Sequence, residues 1–289
     1  MTTRSILALL IEPETDQAVL HAAGAIARDF SAHVAVTHVR ERPRAIAAMG
    51  YEGIHAYVSH DLEAEHIERA NEIESASRAH FDAFVAETGF EIRTRAGHSD
   101  HPSVSWEAID EFGPDVVARR GGAYDLIVVG RPLGGPTNLD LLSVESAIFA
   151  TGRPVLVTPP DPPEHIGETV LVGWNRSGPA ARAFHAAKAL LLERSKKVRL
   201  LSVSTGAKQG PPAESISENL AWHGIEAEIR ELSPDYRSIG EVLLAEASAI
   251  GADLLVMGAF SRSRLRQLIL GGVTQHVLTR AEMPVFMAH

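Results

Sequence analysis

Short apolar runs recur along this chain and alternate with segments that have helical periodicity. In the second half, the runs that predict strands are Val170–Gly173, Lys197–Val203, Ala227–Leu232, Asp253–Met257 and Val285–Ala288. The segments between them that predict helices are Ser177–Leu192, Ala213–Trp222, Ser238–Ile250 and Leu268–Arg280. Because parallel strands are joined by long crossovers, usually helices, this alternation predicts a parallel sheet with helices on both faces.

The strand and helix pattern of the second half also occurs in the first half. The run Asp125–Gly130 corresponds to Asp253–Gly258, and Arg153–Thr158 corresponds to Met283–Ala288. Repetition at the length of a whole domain indicates that one unit has been duplicated.

A proline-rich join at residues 159–163 separates the two copies. Proline fixes its own φ and cannot donate a backbone hydrogen bond, so this join predicts a stiff, extended connector. We therefore predict an α/β fold with two tandem, Rossmann-like domains, residues 1–158 and 166–289. Each domain is expected to hold five parallel strands with helices on both faces.

The first copy carries an insertion between its second and third predicted strands. These strands are Val34–Val39 and Glu91–Thr94, and Glu63–Glu87 between them predicts a long charged helix. The preceding segment, Arg42–His60, is best interpreted as a surface helix and loop. The alternative is that it covers an active face or a dimer surface.

Composition narrows the function classes. The formal net charge of −10 argues against a general nucleic-acid-binding surface, which needs basic residues to replace counterions. The absence of cysteine excludes disulfides, Cys-ligated zinc and thiol catalysis. The apolar run Ile6–Ile11 is too short for a signal peptide or a membrane span and predicts a buried strand, so we expect a cytoplasmic protein without a membrane partner.

The stretch that follows Asp253–Met257 is typical of a phosphate-binding loop. Gly258 would let the chain turn sharply off the strand, and Gly271 and Gly272 open the next helix. Free backbone amides at a helix start attract anions, and the missing Cβ allows a close approach. Thr274 adds a hydroxyl in the first turn. The alternative is a tight strand–helix turn with a purely structural role.

Val256 to Thr274, with Met283–Phe286 after it, resembles the C-terminal signature of the universal stress protein family. That signature has a glycine, two residues, a second glycine, nine residues, a third glycine and then Ser or Thr. The resemblance implies five-stranded parallel α/β domains, and many members of the family bind ATP through this loop. The chain departs from the signature at Ser261 and Gly272, which replace the second glycine and the Ser or Thr.

The resemblance also implies a nucleotide site in the second domain. Asn175 stands where the family commonly has an Asp, and Gly173 and Val203 match positions that line the adenine pocket. The implied cofactor-binding residues are Gly173, Asn175, Val203, Met257, Gly258, Ser261, Gly271, Gly272, Val273 and Thr274. The expected ligand is ATP, with Mg²⁺, or another adenine nucleotide, and the expected role is regulation of a stress response.

The first domain lacks this site. Leu141 and Leu142 occupy the positions of Gly271 and Gly272, and Ile11 occupies that of Asn175. We predict that two leucines in place of glycines prevent ATP binding there. Gly134 and Gly135 leave open an alternative site for another anion.

Catalysis and metal binding receive little support from the sequence. His98, Asp100 and His101 form a candidate metal cluster, but they are better interpreted as part of a turn before a helix. The sequence has neither a Gly-x-Ser-x-Gly elbow nor a Walker-type phosphate loop, and no general base can be assigned. We expect no enzyme activity, although slow ATP hydrolysis and a non-nucleotide scaffold remain alternatives.

The last strand of the chain predicts how the two domains meet. Val285–Met287 is expected at a sheet edge, and exposed edges pair readily with other strands. Tandem members of the family resemble a dimer fused into one chain. We therefore expect the domains to pack face to face through their last strands, with homo-oligomers left open. The alternative is two separate domains joined only by the linker.

Overall fold

The strands form one continuous sheet that runs through both halves of the chain. The computed structural model describes residues 3–40, 60–134, 139–190, 194–203, 210–233, 235–259 and 272–289. The first half contains β1 (Ser5–Leu10), α1 (Pro13–Phe30), β2 (His33–Val39), α2 (His60–Thr88), β3 (Glu91–Ile92), β4 (Ser103–Ile109), α3 (Gly113–Arg120), β5 (Leu126–Gly130), α4 (Leu139–Ala150) and β6 (Val155–Thr158). The second half contains β7 (Thr169–Gly173), α5 (Gly178–Leu190), β8 (Lys197–Val203), α6 (Ala213–Ala221), β9 (Ala227–Leu232), α7 (Ile239–Ile250), β10 (Leu254–Gly258), α8 (Gly272–Arg280) and β11 (Val285–Ala288).

The strand order is β3-β4-β2-β1-β5-β6-β11-β10-β7-β8-β9. Every pair within a half is parallel, which confirms the predicted α/β class. The central pair, β6 with β11, is antiparallel, and Leu156 lies opposite Phe286. The halves therefore meet through their last strands as predicted, but the packing is edge to edge and not face to face. β11 lies in the middle of the sheet and not at its edge.

The third strand of the first half was predicted at the wrong place. Glu91–Thr94 contributes only the two exposed residues of β3, and the missed strand β4 pairs with β2 along its whole length. β4 alternates weakly and carries Ser, Glu and Ala among its apolar positions, so its period was not apparent in the sequence. With β3 as an extra edge strand, the described residues of the first half form six strands and not five.

Helices cover the sheet on both faces, and each face has its own apolar core. Among the described residues, α1, α2, α5 and α6 pack on one face and bury Leu20, Phe81, Phe184 and Leu220. The helices α3, α4, α7 and α8 pack on the other face. The strands are therefore buried on both sides, which explains why they appear in the sequence as unbroken apolar runs.

Equivalent aspartates anchor the start of the first strand in each half. The Asp253 carboxylate accepts hydrogen bonds from the N–H groups of Gly167, Glu168 and Thr169, each at 3.0 Å. In the first half, the Asp125 carboxylate accepts from the N–H groups of Arg4 and Ser5, at 2.8 and 3.0 Å. The duplication seen in the sequence therefore extends to matched contacts.

Candidate functional site

The predicted site residues of the second half gather at the carboxyl ends of adjacent strands. Gly173 on β7 lies level with Met257 on β10 and with Leu201 on β8. Asn175 follows the end of β7 by two residues, Val203 ends β8, and Gly258 ends β10 one residue beyond Met257. In open α/β sheets, this edge is where ligands bind.

Helix α8 brings the remaining described residues to the same edge. Because β10 and β11 are parallel, the helix between them must begin near the carboxyl end of β10. Its first residues are Gly272, which is exposed, Val273, which is half-buried, and Thr274, which is only 4% exposed. Two predicted site residues, Ser261 and Gly271, lie outside the described residues, so their contribution stays a prediction.

The turn from β7 into α5 is held by its own polar side chains. The Asn175 side-chain oxygen accepts a hydrogen bond from the Ser177 N–H at 3.2 Å. The Ser177 hydroxyl accepts one from the Ala180 N–H at 3.2 Å, as an N-cap does. Between them, Arg176 has a φ of 61°, in the left-handed region. This turn presents the exposed Asn175 at the sheet edge in a defined conformation.

Helix packing requires a glycine at position 258, which the sequence did not reveal. Gly258 does not have a positive φ, so the sharp turn expected there does not need a glycine. A Cβ added to Gly258 would lie 2.4 Å from the backbone nitrogen of Ala180, in the first turn of α5. The same holds in the first half, where a Cβ on Gly130 would lie 2.2 Å from the Thr15 hydroxyl. These glycines let the first helix of each half pack against the sheet.

Gly272 is different, because nothing in the described structure requires a glycine there. It has no positive φ, and no atom of the described residues lies within 4 Å of the position that a Cβ would take. Glycine in a helix costs roughly 0.5–1 kcal/mol relative to alanine. The open space at this helix start is the geometry that a phosphate group needs to approach backbone amides.

The corresponding edge of the first half is acidic. Ile6 on β1 pairs with Leu126 as Val170 on β7 pairs with Leu254, so Ile11 occupies the level of Asn175. Next to it, burial raises the pKa of Glu12, and the negative charges of Glu14 and Asp140 add to this rise. A region that already disfavours its own carboxylate also disfavours a phosphate.

The alternative metal cluster lies in an exposed turn. His98, Asp100 and His101 precede strand β4 and not a helix as predicted. The Ser99 hydroxyl accepts a hydrogen bond from the His101 N–H at 3.2 Å, so the turn is organised by its serine. Within the parts of the chain that the structure describes, no group of three or more His, Asp or Glu side chains is arranged to hold a metal ion.

The sequence comparison bears on the second half of the chain. Residues 168–289, from β7 to β11, match the universal stress protein family. The second half is a universal stress protein domain. A comparison of the chain with curated proteins returns no match.

Solved structures show that the fold of a universal stress protein extends over both halves. A universal stress protein from Archaeoglobus fulgidus DSM 4304 is 18% identical, with a TM-score of 0.64, and the match covers 98% of this chain and 95% of that one. A putative universal stress protein from Pseudomonas aeruginosa UCBPP-PA14 is also 18% identical, with a TM-score of 0.51 and coverage of 98% and 92%. At these identities the likeness shows the fold alone.

The helices of the described structure also bear on membrane association. None of those within the described ranges combines the length and the apolar character needed to cross a bilayer.

Proposed function

We propose that this universal stress protein is a stress-response regulator that binds an adenine nucleotide in its second half, without catalysis. The observation that carries the proposal is Gly272, an exposed glycine at the start of α8 against which no described residue packs. A helix start offers unpaired N–H groups and the positive end of the helix dipole, and both favour a phosphate.

The described residues fit such a ligand in chemistry as well as in position. The amides at the start of α8 would hold phosphate oxygens, together with Ser261 and Gly271 of the preceding loop as the sequence predicts. Asn175 offers an amide for the polar edge of the nucleoside, and the half-buried Gly173 and Val203 offer an apolar surface for the base, whereas Met257 is only 5% exposed and belongs to the core beneath them. ATP would carry its Mg²⁺ with it, and the metal would contribute charge neutralisation of the phosphates.

The same residues support binding over catalysis. Among the described site residues, none is a carboxylate, a histidine or a cysteine, so no group is placed to act as a general base. The hydroxyl of Thr274 belongs to a side chain that is only 4% exposed. We therefore propose that a bound nucleotide acts as a ligand and not as a substrate.

Replacing Gly272 with valine tests the site directly. A Cβ at this position meets no atom of the described residues within 4 Å, so we expect the variant to fold as the wild type does. The valine would instead occupy the space of the phosphates, and we expect ATP affinity to fall at least ~10-fold, equivalent to about 1.4 kcal/mol. The measurement is calorimetric titration with ATP and Mg²⁺, after mass spectrometry for co-purified nucleotide.

Leu142→Gly provides the matched control, because Leu142 is the first-half equivalent of Gly272. This substitution should leave ATP affinity unchanged. A loss of affinity in both variants would mean that the site has been assigned to the wrong half. A wild-type protein that does not bind millimolar ATP would refute the proposal and favour a scaffold. Release of phosphate from ATP above the buffer blank would refute the non-catalytic part alone.

A further inference from the structure

Asp140 places a buried carboxylate in the first turn of helix α4. Its side chain is only 6% exposed. One carboxylate oxygen, Oδ2, accepts hydrogen bonds from the N–H groups of Leu133 and Gly134, at 2.6 and 3.1 Å. The other oxygen, Oδ1, lies 2.7 Å from the Leu141 nitrogen. The carboxylate therefore joins the segment after β5 to the start of α4.

The position of Asp140 corresponds to the nucleotide site of the second half. Helix α4 connects the parallel strands β5 and β6, as α8 connects β10 and β11. Both helices therefore begin at the same edge of the sheet, next to the carboxyl end of the preceding strand. In the second half this helix start is the open surface of Gly272, and in the first half it carries the carboxylate of Asp140.

The amides that Asp140 binds form an anion-binding arrangement. Gly134 has a φ of 78°, and its N–H and that of Leu133 point at the same carboxylate oxygen. Successive N–H groups that converge in this way make a concave site for an anion. The first half therefore retains backbone donors suited to a phosphate, although Leu141 and Leu142 replace the glycines of the loop.

We infer that Asp140 prevents nucleotide binding in the first half and so restricts it to the second, because its carboxylate occupies the anion position that the first half would otherwise offer. The inference rests on the proposed function in that it explains why only one half binds. A carboxylate that belongs to the chain loses little entropy when it binds these amides, so it outcompetes a free phosphate. Glu12 and Glu14, on the neighbouring turn, add negative charge against any incoming anion.

Amide hydrogen exchange of the segment 131–141 tests this directly in the full-length protein. In the wild type, we expect Leu133 and Gly134 to be protected, and inorganic phosphate should not change their rates. Asp140→Ala should raise these rates at least ~10-fold, and millimolar phosphate should restore part of the protection. Asp115→Ala is the control, because Asp115 is an exposed acidic residue in the first turn of α3. Its loss should change neither the exchange rates of Leu133 and Gly134 nor their response to phosphate.

Two outcomes would overturn the inference. One is equal exchange in the wild type and Asp140→Ala, which would mean that the carboxylate does not hold these amides. The other is faster exchange without any effect of phosphate, which would make Asp140 a structural cap alone. If peptides from β1 show that Asp140→Ala disturbs the fold, Asp140→Leu decides by the same criteria, because leucine fills the space of the side chain but accepts no hydrogen bond. Because the signal comes from the first half, it does not depend on whether ATP binds the second.

Discussion

Asp16 places a carboxyl group in the first turn of α1 with none of its surface exposed. Its Oδ2 lies 3.6 Å from Nδ1 of His80 on α2. Burial raises the pKa of Asp16 to about 6, and the nearby Ser77 and His80 only partly oppose this rise. At neutral pH, the folded protein therefore carries a buried charge that it would hold more easily as the neutral acid.

The pH dependence of stability should reveal this cost. The folded pKa of about 6 exceeds the ordinary value of 3.8, so Asp16 favours folding at low pH and loses that contribution as pH rises towards 6. The difference corresponds to roughly 3 kcal/mol at 1.4 kcal/mol per pKa unit. Asp16→Asn should therefore gain stability relative to the wild type between pH 4 and pH 6.5, measured by urea unfolding at each pH. Equal slopes for Asp16→Asn and the exposed control Asp100→Asn would contradict this prediction.

Helix α2 is the part of the first-half insertion that the structure describes, and it belongs to the core. Phe81 is fully buried, and its ring centroid lies 5.2 Å from that of Trp106 on β4. The Arg78 guanidinium lies 5.2 Å from the Phe81 centroid and 5.4 Å from that of Trp106. The long helix predicted from 63 to 87 is confirmed, and these contacts show that it packs on the sheet. The segment Arg42–His60 before it lies mostly outside the described residues.

Two substitutions on α2 compare a buried position with an exposed one and so test whether the helix packs on the sheet. Phe81→Ala removes a fully buried ring, and we expect it to lower the free energy of unfolding by about 3–5 kcal/mol. Ile67→Ala changes a residue that is 47% exposed, and its effect should stay within about 0.5 kcal/mol. Urea denaturation followed by circular dichroism measures both. Similar losses in the two variants would mean that α2 does not pack as the structure shows.

At the scale of the whole molecule, contacts join the two halves on either side of the β6–β11 pair. The Arg131 guanidinium donates a hydrogen bond to the Ala281 carbonyl, at the end of α8, at 3.0 Å. On the face covered by α1 and α5, Arg194 pairs with Asp29 at 2.6 Å and lies 4.4 Å from the Phe30 ring centroid. The paired strands themselves are fully buried at Leu156 and Phe286. One sheet with such a junction should unfold as one unit.

Asp253→Ala tests this cooperativity from one side of the junction. It removes the acceptor of three backbone N–H groups in the second half, and we expect a loss of about 1–3 kcal/mol. If the sheet is cooperative, hydrogen exchange should accelerate in β1 of the first half as well as in β7. The control is Asp161→Ala, which changes an exposed residue of the linker. Acceleration confined to the second half would show that the halves unfold independently.

The sequence was most informative where local chemistry decides structure. In the second half, the strands at Lys197–Val203, Ala227–Leu232 and Val285–Ala288 were predicted to the residue. Ser238 was predicted as a helix start, and it caps α7 with Glu241 in a capping box. Local signals failed at β4, because pairing with β2 and packing under α2 stabilise that strand more than its own pattern does.

The candidate site shows the same division. The sequence placed a glycine-containing loop in the second half and leucines in the first, and it predicted from this that only one half binds a nucleotide. It could not tell that Gly258 allows the packing of α5 while no described residue packs against Gly272, because that depends on atoms distant in sequence. Nor did it single out Asp140, since an acidic residue in a first helical turn is common.

By itself, then, the sequence determined the duplication, the α/β class and most of the strands. Each of these follows from hydrophobic periodicity and turn residues, whose effects extend over only a few positions. Only the tertiary structure decided that the two last strands join edge to edge into one sheet and that Asp140 reaches the amides after β5. These features depend on how separate elements are placed against each other, and a local pattern carries no information about that placement.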